Sequence, residues 1–127
     1  MRLVLDTSVL IDVLRGRKDR RRLLHRLVGE GHSLSTTVLN VAELYASMRA
    51  GEEARTEEFL GGLECLELRM SAARLAGQLK SIWQTRGRTL TLSDTIIAAV
   101  AIEERCALLT DNRKDFPMRE LSVYPLP

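Results

Sequence analysis

The chain has 127 residues, 45% apolar and 28% charged, with a formal net charge of +2. That make-up fits one soluble globular domain, residues 1–127, large enough to bury a core without staples. No apolar run reaches membrane-spanning length and the start lacks a secretory signal pattern, so a cytoplasmic protein with no membrane association is expected.

Apolar strand-like segments alternate with amphipathic helical ones. The pattern predicts a strand over Arg2 to Leu5, a short helix from about Ser8 to Leu14 and another from about Asp19 to Gly29. A strand is expected at Ser33 to Ser35, then helices over Thr37 to Met48 and Glu53 to Leu63. Cys65 to Leu68 reads as a strand. Ser71 is the expected N-cap of a helix running to about Thr85, with Ala72, Leu75, Ala76, Leu79, Ile82 and Trp83 at helical spacing. Ser93 is the expected cap of a very apolar helix to about Arg105. Buried strands follow at Ala107 to Leu109 and Leu121 to Tyr124. Such alternation predicts an α/β three-layer sandwich with a central, mostly parallel sheet surrounded by helices. Cys65 and Cys106 are widely spaced, without a metal-ligand pattern, and are expected to be buried thiols.

Four carboxylates fall at informative places. Asp6 directly follows the run Leu3-Val-Leu5. Glu43 lies beside the apolar face expected of its helix (Val38, Leu39, Ala42, Tyr45, Ala46), with Asn40 close enough to position it. Asp94 falls in the first turn of a helix apolar enough to be buried, where the helix dipole favours an anion. Asp111 follows the strand Ala107 to Leu109. Strand ends and helix starts are where open parallel sheets build their sites. Acids converging there repel one another unless a cation holds them, which points to a metal. Asp6 alone reads equally well as a plain helix cap. Asp12 reads as a surface residue, and His25 and His32 as exposed.

The basic residues are mostly arginine, sixteen against three lysines. Six of the eight residues from Arg15 to Arg22 are basic: Arg15, Arg17, Lys18, Arg20, Arg21 and Arg22. A basic face around an acidic, metal-loaded cleft suits a nuclease, because the guanidinium fork matches phosphate. A solvated helix face is the plainer alternative. Haloacid-dehalogenase phosphatases need a second Asp two residues after the first, where this chain has Ser8. Receiver domains need a mid-chain acceptor Asp that is absent.

Taken together, Leu5-Asp-Thr-Ser-Val-Leu-Ile11, Leu39-Asn-Val-Ala-Glu-Leu44, Ser93-Asp-Thr-Ile-Ile-Ala-Ala99 and Leu109-Thr-Asp-Asn-Arg-Lys-Asp-Phe116 resemble the PIN-domain family, in its VapC-type toxin ribonucleases, over essentially the full length. The resemblance implies a Mg²⁺-dependent (or Mn²⁺-dependent) endoribonuclease, neutralised by a partner antitoxin and assembled as a homodimer. Its metal ligands would be Asp6 and Asp94, with Glu43 and Asp111 as the further catalytic acids. Asp115 and Asn112 compete with Asp111 for the fourth place. Thr7, Ser8, Thr110 and Asn112 would orient ligands or substrate. The substrate would be structured RNA. A DNA nuclease on the same scaffold, or a silent module that only binds RNA or protein, are the alternatives. The helix ending at Thr85, with Leu75, Leu79, Ile82 and Trp83, is the candidate dimer face.

Overall fold

The computed structural model describes all 127 residues. Five strands, β1 (Arg2–Leu5), β2 (Ser33–Thr37), β3 (Glu64–Leu66), β4 (Ala107–Leu109) and β5 (Ser122–Val123), form one sheet in the order β3-β2-β1-β4-β5. Every pairing is parallel. The helices are α1 (Thr7–Leu14), α2 (Arg20–Gly29), α3 (Val38–Ala46), α4 (Glu53–Gly61), α5 (Met70–Thr85) and α6 (Leu92–Glu103), with a 3-10 turn at Arg113–Asp115.

The pleat decides the layers. Leu3 and Leu5 of β1, with Ala107 and Leu109 of β4, pack into one buried cluster with Val9, Leu10, Leu23, Leu24 and Leu27 of α1 and α2. Val4 and Leu108, one residue out of phase, pack on the opposite face with Ala72, Ala76 and Leu79 of α5 and Ile97 to Ala101 of α6. The two-residue strand period therefore divides the core into two, giving the expected three-layer sandwich. Leu108 is fully enclosed; truncating it to Ala costs about 2–5 kcal/mol.

The chain builds outward from β1 through β2 to β3, then returns to place β4 and β5 on the other side of β1. The carboxyl edge between β1 and β4 is thus the point where the strand order reverses, the place where open parallel sheets form their sites. The Asp6 N–H donates to the Leu109 carbonyl at 3.0 Å, joining the ends of both strands at that point.

Several boundaries move. Asp6, not a later residue, caps α1, and Thr91, not Ser93, caps α6: the Thr91 hydroxyl accepts the Asp94 N–H at 3.1 Å. Ser71 lies inside α5, after Arg69 at its cap. The buried positions of α3 are Asn40 and Leu44, while Val38, Ala42, Tyr45 and Ala46 are exposed, opposite to the expected core face. Leu79 is enclosed and Leu75 and Trp83 pack on the core, so most of the α5 stripe is spent against α6; only Ile82 stands out, 46% exposed. Cys106 is buried as expected, but Cys65 is exposed, because β3 is an edge strand. His25 is exposed, whereas His32 is half-buried against the edge of the Tyr124 ring. Lys18 and Asp19 have consecutive left-handed backbones, φ 52° and 57°. For residues with a Cβ such a conformation costs roughly 1–2 kcal/mol each.

Candidate active site

Asp6 stands at the end of β1 and begins α1, so the cap reading and the site reading describe one residue. Its Oδ1 accepts the Thr7 N–H at 2.9 Å and the Asn40 Nδ2–H at 3.2 Å, and its Oδ2 accepts the Thr110 hydroxyl at 2.7 Å. Four segments thereby converge on one carboxylate that is 6% exposed. Burial pushes its pKa up and the Glu43 charge adds to this, while the bonds from Thr110, Thr7 and Asn40 pull the other way.

Glu43 is half-buried on α3. Its Oε1 accepts the Thr7 hydroxyl at 2.7 Å and its Oε2 the Ser93 hydroxyl at 2.8 Å. Ser93 is thus released from capping by Thr91 and serves the site. Asn40 does not touch Glu43 directly. It donates to Thr7 Oγ1 at 3.0 Å and accepts the Thr37 hydroxyl at 2.6 Å, so Thr7 is the bridge between Asp6 and Glu43. This polar network explains why α3 buries Asn40 and turns its apolar residues outward. Ser8 Oγ is buried with no partner.

Asp94 lies in the first turn of α6, half-buried. Burial raises its pKa, and the charges of Asp6, Asp115 and Glu43 raise it further. These four carboxylates share one electrostatic environment. Asp111, named with Glu43 as a further catalytic acid, is turned to other partners: Arg20 Nη2 meets its Oδ1 at 2.7 Å and Lys18 Nζ its Oδ2 at 3.5 Å. The half-buried Asp115, at the end of the 3-10 turn, is the acid of this loop whose charge acts on Asp94. Asn112 is exposed, and its backbone N–H donates to Thr110 Oγ1 at 3.0 Å, orienting that hydroxyl toward Asp6.

The basic cluster separates into parts. Arg20 is 5% exposed and committed to Asp111, so it is not an RNA contact in this conformation. Arg15 is tied to Glu52 and the Ser47 carbonyl. The Arg21 guanidinium donates to the Val13 and Leu14 carbonyls. Arg17, Lys18 and Arg22 remain exposed. Asp12, expected on the surface, is 7% exposed and pairs with Lys18 at 3.6 Å. No sequence signal shows that pairing, because it depends on the turn between α1 and α2.

No three His, Cys, Asp or Glu side chains converge closely enough to cage an ion by themselves. Mg²⁺ does not require such a cage: it is commonly held by one or two carboxylates, with water and substrate phosphate completing the octahedron. The pairwise coupling of Asp94 with Asp6, and the unpartnered Ser8 hydroxyl behind Asp6, are compatible with that mode of binding.

A groove of about 660 Å³ lies elsewhere. It runs between the end of α1, α2, β2 and α4. Val13, Leu14, Leu24, Val28, Phe59 and Leu63 give it an apolar floor, and Arg21, His25, Arg55 and Glu58 flank it.

The point where the strand order reverses thus carries Asp6 in one hydrogen-bonded network with Glu43. Residues 3–120 match the model of the PIN domain, and the chain belongs to that family. Along 115 residues it is 32% identical to ribonuclease VapC19 of Mycobacterium tuberculosis, covering 91% of this chain and 92% of that one. The fold is similar to a chain of the VapBC2 complex of Rickettsia felis bound to a promoter DNA fragment, with TM-score 0.85, 21% identity and 98% of each chain covered. It is also similar to a chain of VapBC-1 from nontypeable Haemophilus influenzae, with TM-score 0.82, 21% identity, and 98% and 97% covered.

Proposed function

We propose that this protein is a metal-dependent endoribonuclease, the toxin of a toxin–antitoxin pair, hydrolysing phosphodiester bonds in structured RNA. The observation that carries the chemistry is the hydrogen-bonded network that ties Asp6 at the end of β1 to Glu43 of α3 through Thr7, with Ser93, the neighbour of Asp94, donating to Glu43 as well. The biological role rests on the similarity to proteins named ribonuclease VapC and to chains of VapBC complexes.

Mg²⁺, or Mn²⁺, would be held by Asp6 and Asp94, with Glu43 and Asp115 close enough to orient water or add a second charge site. When bound, such an ion acidifies water and offsets the negative charge that builds on the phosphate. The chain's own residues supply the rest. Thr110, Asn40 and the Thr7 N–H fix Asp6 in one rotamer, and Thr7 and Ser93 fix Glu43. Hydroxyl donors of this kind hold acids in place without neutralising them. No Ser, Cys or His stands ready as a nucleophile, consistent with direct attack by water in line with the leaving oxygen. Arg17 and Arg22, both exposed, would follow the RNA backbone.

The apolar groove between α2 and α4 suits the apolar face of an antitoxin helix, and Arg21 and Arg55 on its flank would pair with acidic residues on that helix. A homodimer is also proposed, and Val38 and Tyr45 of α3 are exposed apolar side chains available to it. No helix of the chain is long and apolar enough to cross a membrane, and a cytoplasmic location follows from the proposed role.

Purified protein is to be incubated with structured RNA, single-stranded DNA and flap DNA, with Mg²⁺ and with chelator. Cleavage of RNA alone, abolished by chelator and by Asp94→Asn, is the expected result. Cleavage of DNA in preference would move the assignment to a DNA nuclease, and binding without cleavage to a silent RNA-binding module.

A further inference from the structure

We infer that the network Asp12–Lys18–Asp111–Arg20 is a positioning device that sets the affinity of the acid site for its metal; this rests on the metal-nuclease reading above. Three separate pieces of the chain meet in it: Asp12 from α1, Lys18 and Arg20 from the turn and start of α2, and Asp111 from the loop after β4. Lys18 Nζ bridges Asp12 at 3.6 Å and Asp111 at 3.5 Å, while the buried Arg20 grips the other oxygen of Asp111 at 2.7 Å.

What Asp111 anchors is the loop that equips the site. Its neighbour Thr110 donates to Asp6 Oδ2 at 2.7 Å, and the Asn112 N–H orients that hydroxyl. The Asp115 N–H then donates to the Asn112 carbonyl at 2.9 Å, closing the turn that holds Asp115. A displacement of Asp111 therefore reaches Asp6 through one residue and Asp115 through four.

The turn that delivers Lys18 is the second observation. Lys18 and Asp19 hold left-handed backbones, and Asp19 makes no side-chain capping bond to α2, so capping does not account for the conformation. Strain of this kind persists where surrounding contacts over-determine it, and it concentrates at functional sites. Here it coincides with the charge network. Asp12, buried on α1 and reached by the amine, gives the network its fixed point.

The opposite role for Asp111 is that of a metal ligand held away from the ion by two competing cations. The two roles predict opposite signs. Mn²⁺ affinity is to be measured by calorimetric titration of the full chain, without RNA, beside the melting temperature of the metal-free protein. Arg20→Lys keeps the charge and loses the fork, and the Mn²⁺ Kd should rise at least tenfold, in the range found when groups supporting metal ligands are removed. Lys18→Gly removes the amine and relaxes the left-handed backbone. Its melting temperature should not fall, yet its Mn²⁺ Kd should rise at least threefold. Loss of a nearby cation would by itself tighten metal binding, so weakening identifies positioning. Unchanged or tighter Mn²⁺ binding in Lys18→Gly, with the wild type binding normally, overturns the positioning role and leaves the nuclease reading standing. A wild-type chain that takes up no Mn²⁺ overturns both. Should Arg20→Lys fail to fold, Lys18→Gly decides alone.

Discussion

Asp6 and Asp94 carry the sharpest expectations at the scale of single residues. Asp6→Asn and Asp94→Asn keep the side-chain shape and remove the charge a hard cation prefers. Cleavage should fall by about two orders of magnitude or more at saturating Mg²⁺; wild-type-like turnover by Asp94→Asn would rule out this site. Asp115→Asn and Asp111→Asn should differ in kind. The former should lower turnover even at saturating metal, while the latter should mainly raise the metal concentration required, a distinction read from Mg²⁺ titrations of the cleavage rate. The raised pKa values of Asp6 and Asp94 also fix a pH dependence. Between the ordinary carboxylate range and the raised values, the native state binds more protons than the unfolded one. The contribution of these groups to apo stability is therefore lost as pH rises through that window. Metal affinity should rise through the same window, since the ligands must be deprotonated. Urea unfolding of the apo protein across this range should show a shallower decline for Asp94→Asn than for wild type. At neutral pH that variant should be at least as stable.

At the scale of elements, α2 looks two ways. Arg20 faces the acid loop, while Leu24, His25 and Val28 face the apolar groove. Val28 is 55% exposed, so Val28→Arg should fold and cleave RNA normally yet escape inhibition by the antitoxin; a pull-down with the antitoxin, beside a cleavage assay, separates the two effects. Neutralising Arg17 and Arg22 should weaken RNA binding and flatten its salt dependence, by roughly one unit of slope for each phosphate no longer neutralised. An unchanged slope would make those arginines a solvated face. All five strands and six helices were legible in the sequence, within a few residues at each end, because the apolar runs and turn residues are unambiguous. The orientation of α3 was not. Periodicity finds an apolar stripe, but here Asn40 takes the inward place because Thr37, Thr7 and Asp6 satisfy its amide. Likewise, the strand-end position of Asp111 is plain from sequence, whereas its pairing with Arg20, 91 residues away, is a tertiary fact. The charges of Asp6, Glu43 and Asp115 all act on Asp94, whereas Asp111 is paired with Arg20 and Lys18.

At the scale of the whole molecule, metal and partner are the two expected stabilisers. Mg²⁺ should raise the melting temperature of the wild type and not of Asp94→Asn, since only a native-state ligand shifts the unfolding equilibrium. The purified complex with its antitoxin should be inactive until the antitoxin is removed, and expression of the chain alone should slow growth. A strict monomer in sedimentation at micromolar concentration would refute the homodimer. The bond from Thr110 to Asp6 spans 104 residues. All six helices precede Thr110 in the chain, and β4, which pairs with β1, is synthesised after β2 and β3. A growing polypeptide on the ribosome therefore carries Asp6 long before Thr110 exists to hold it in place. In the proposed role this means that synthesis and hazard are separated in time: the translating cell meets an unarmed chain, and the enzyme comes into being only after the last strands leave the machinery that made it.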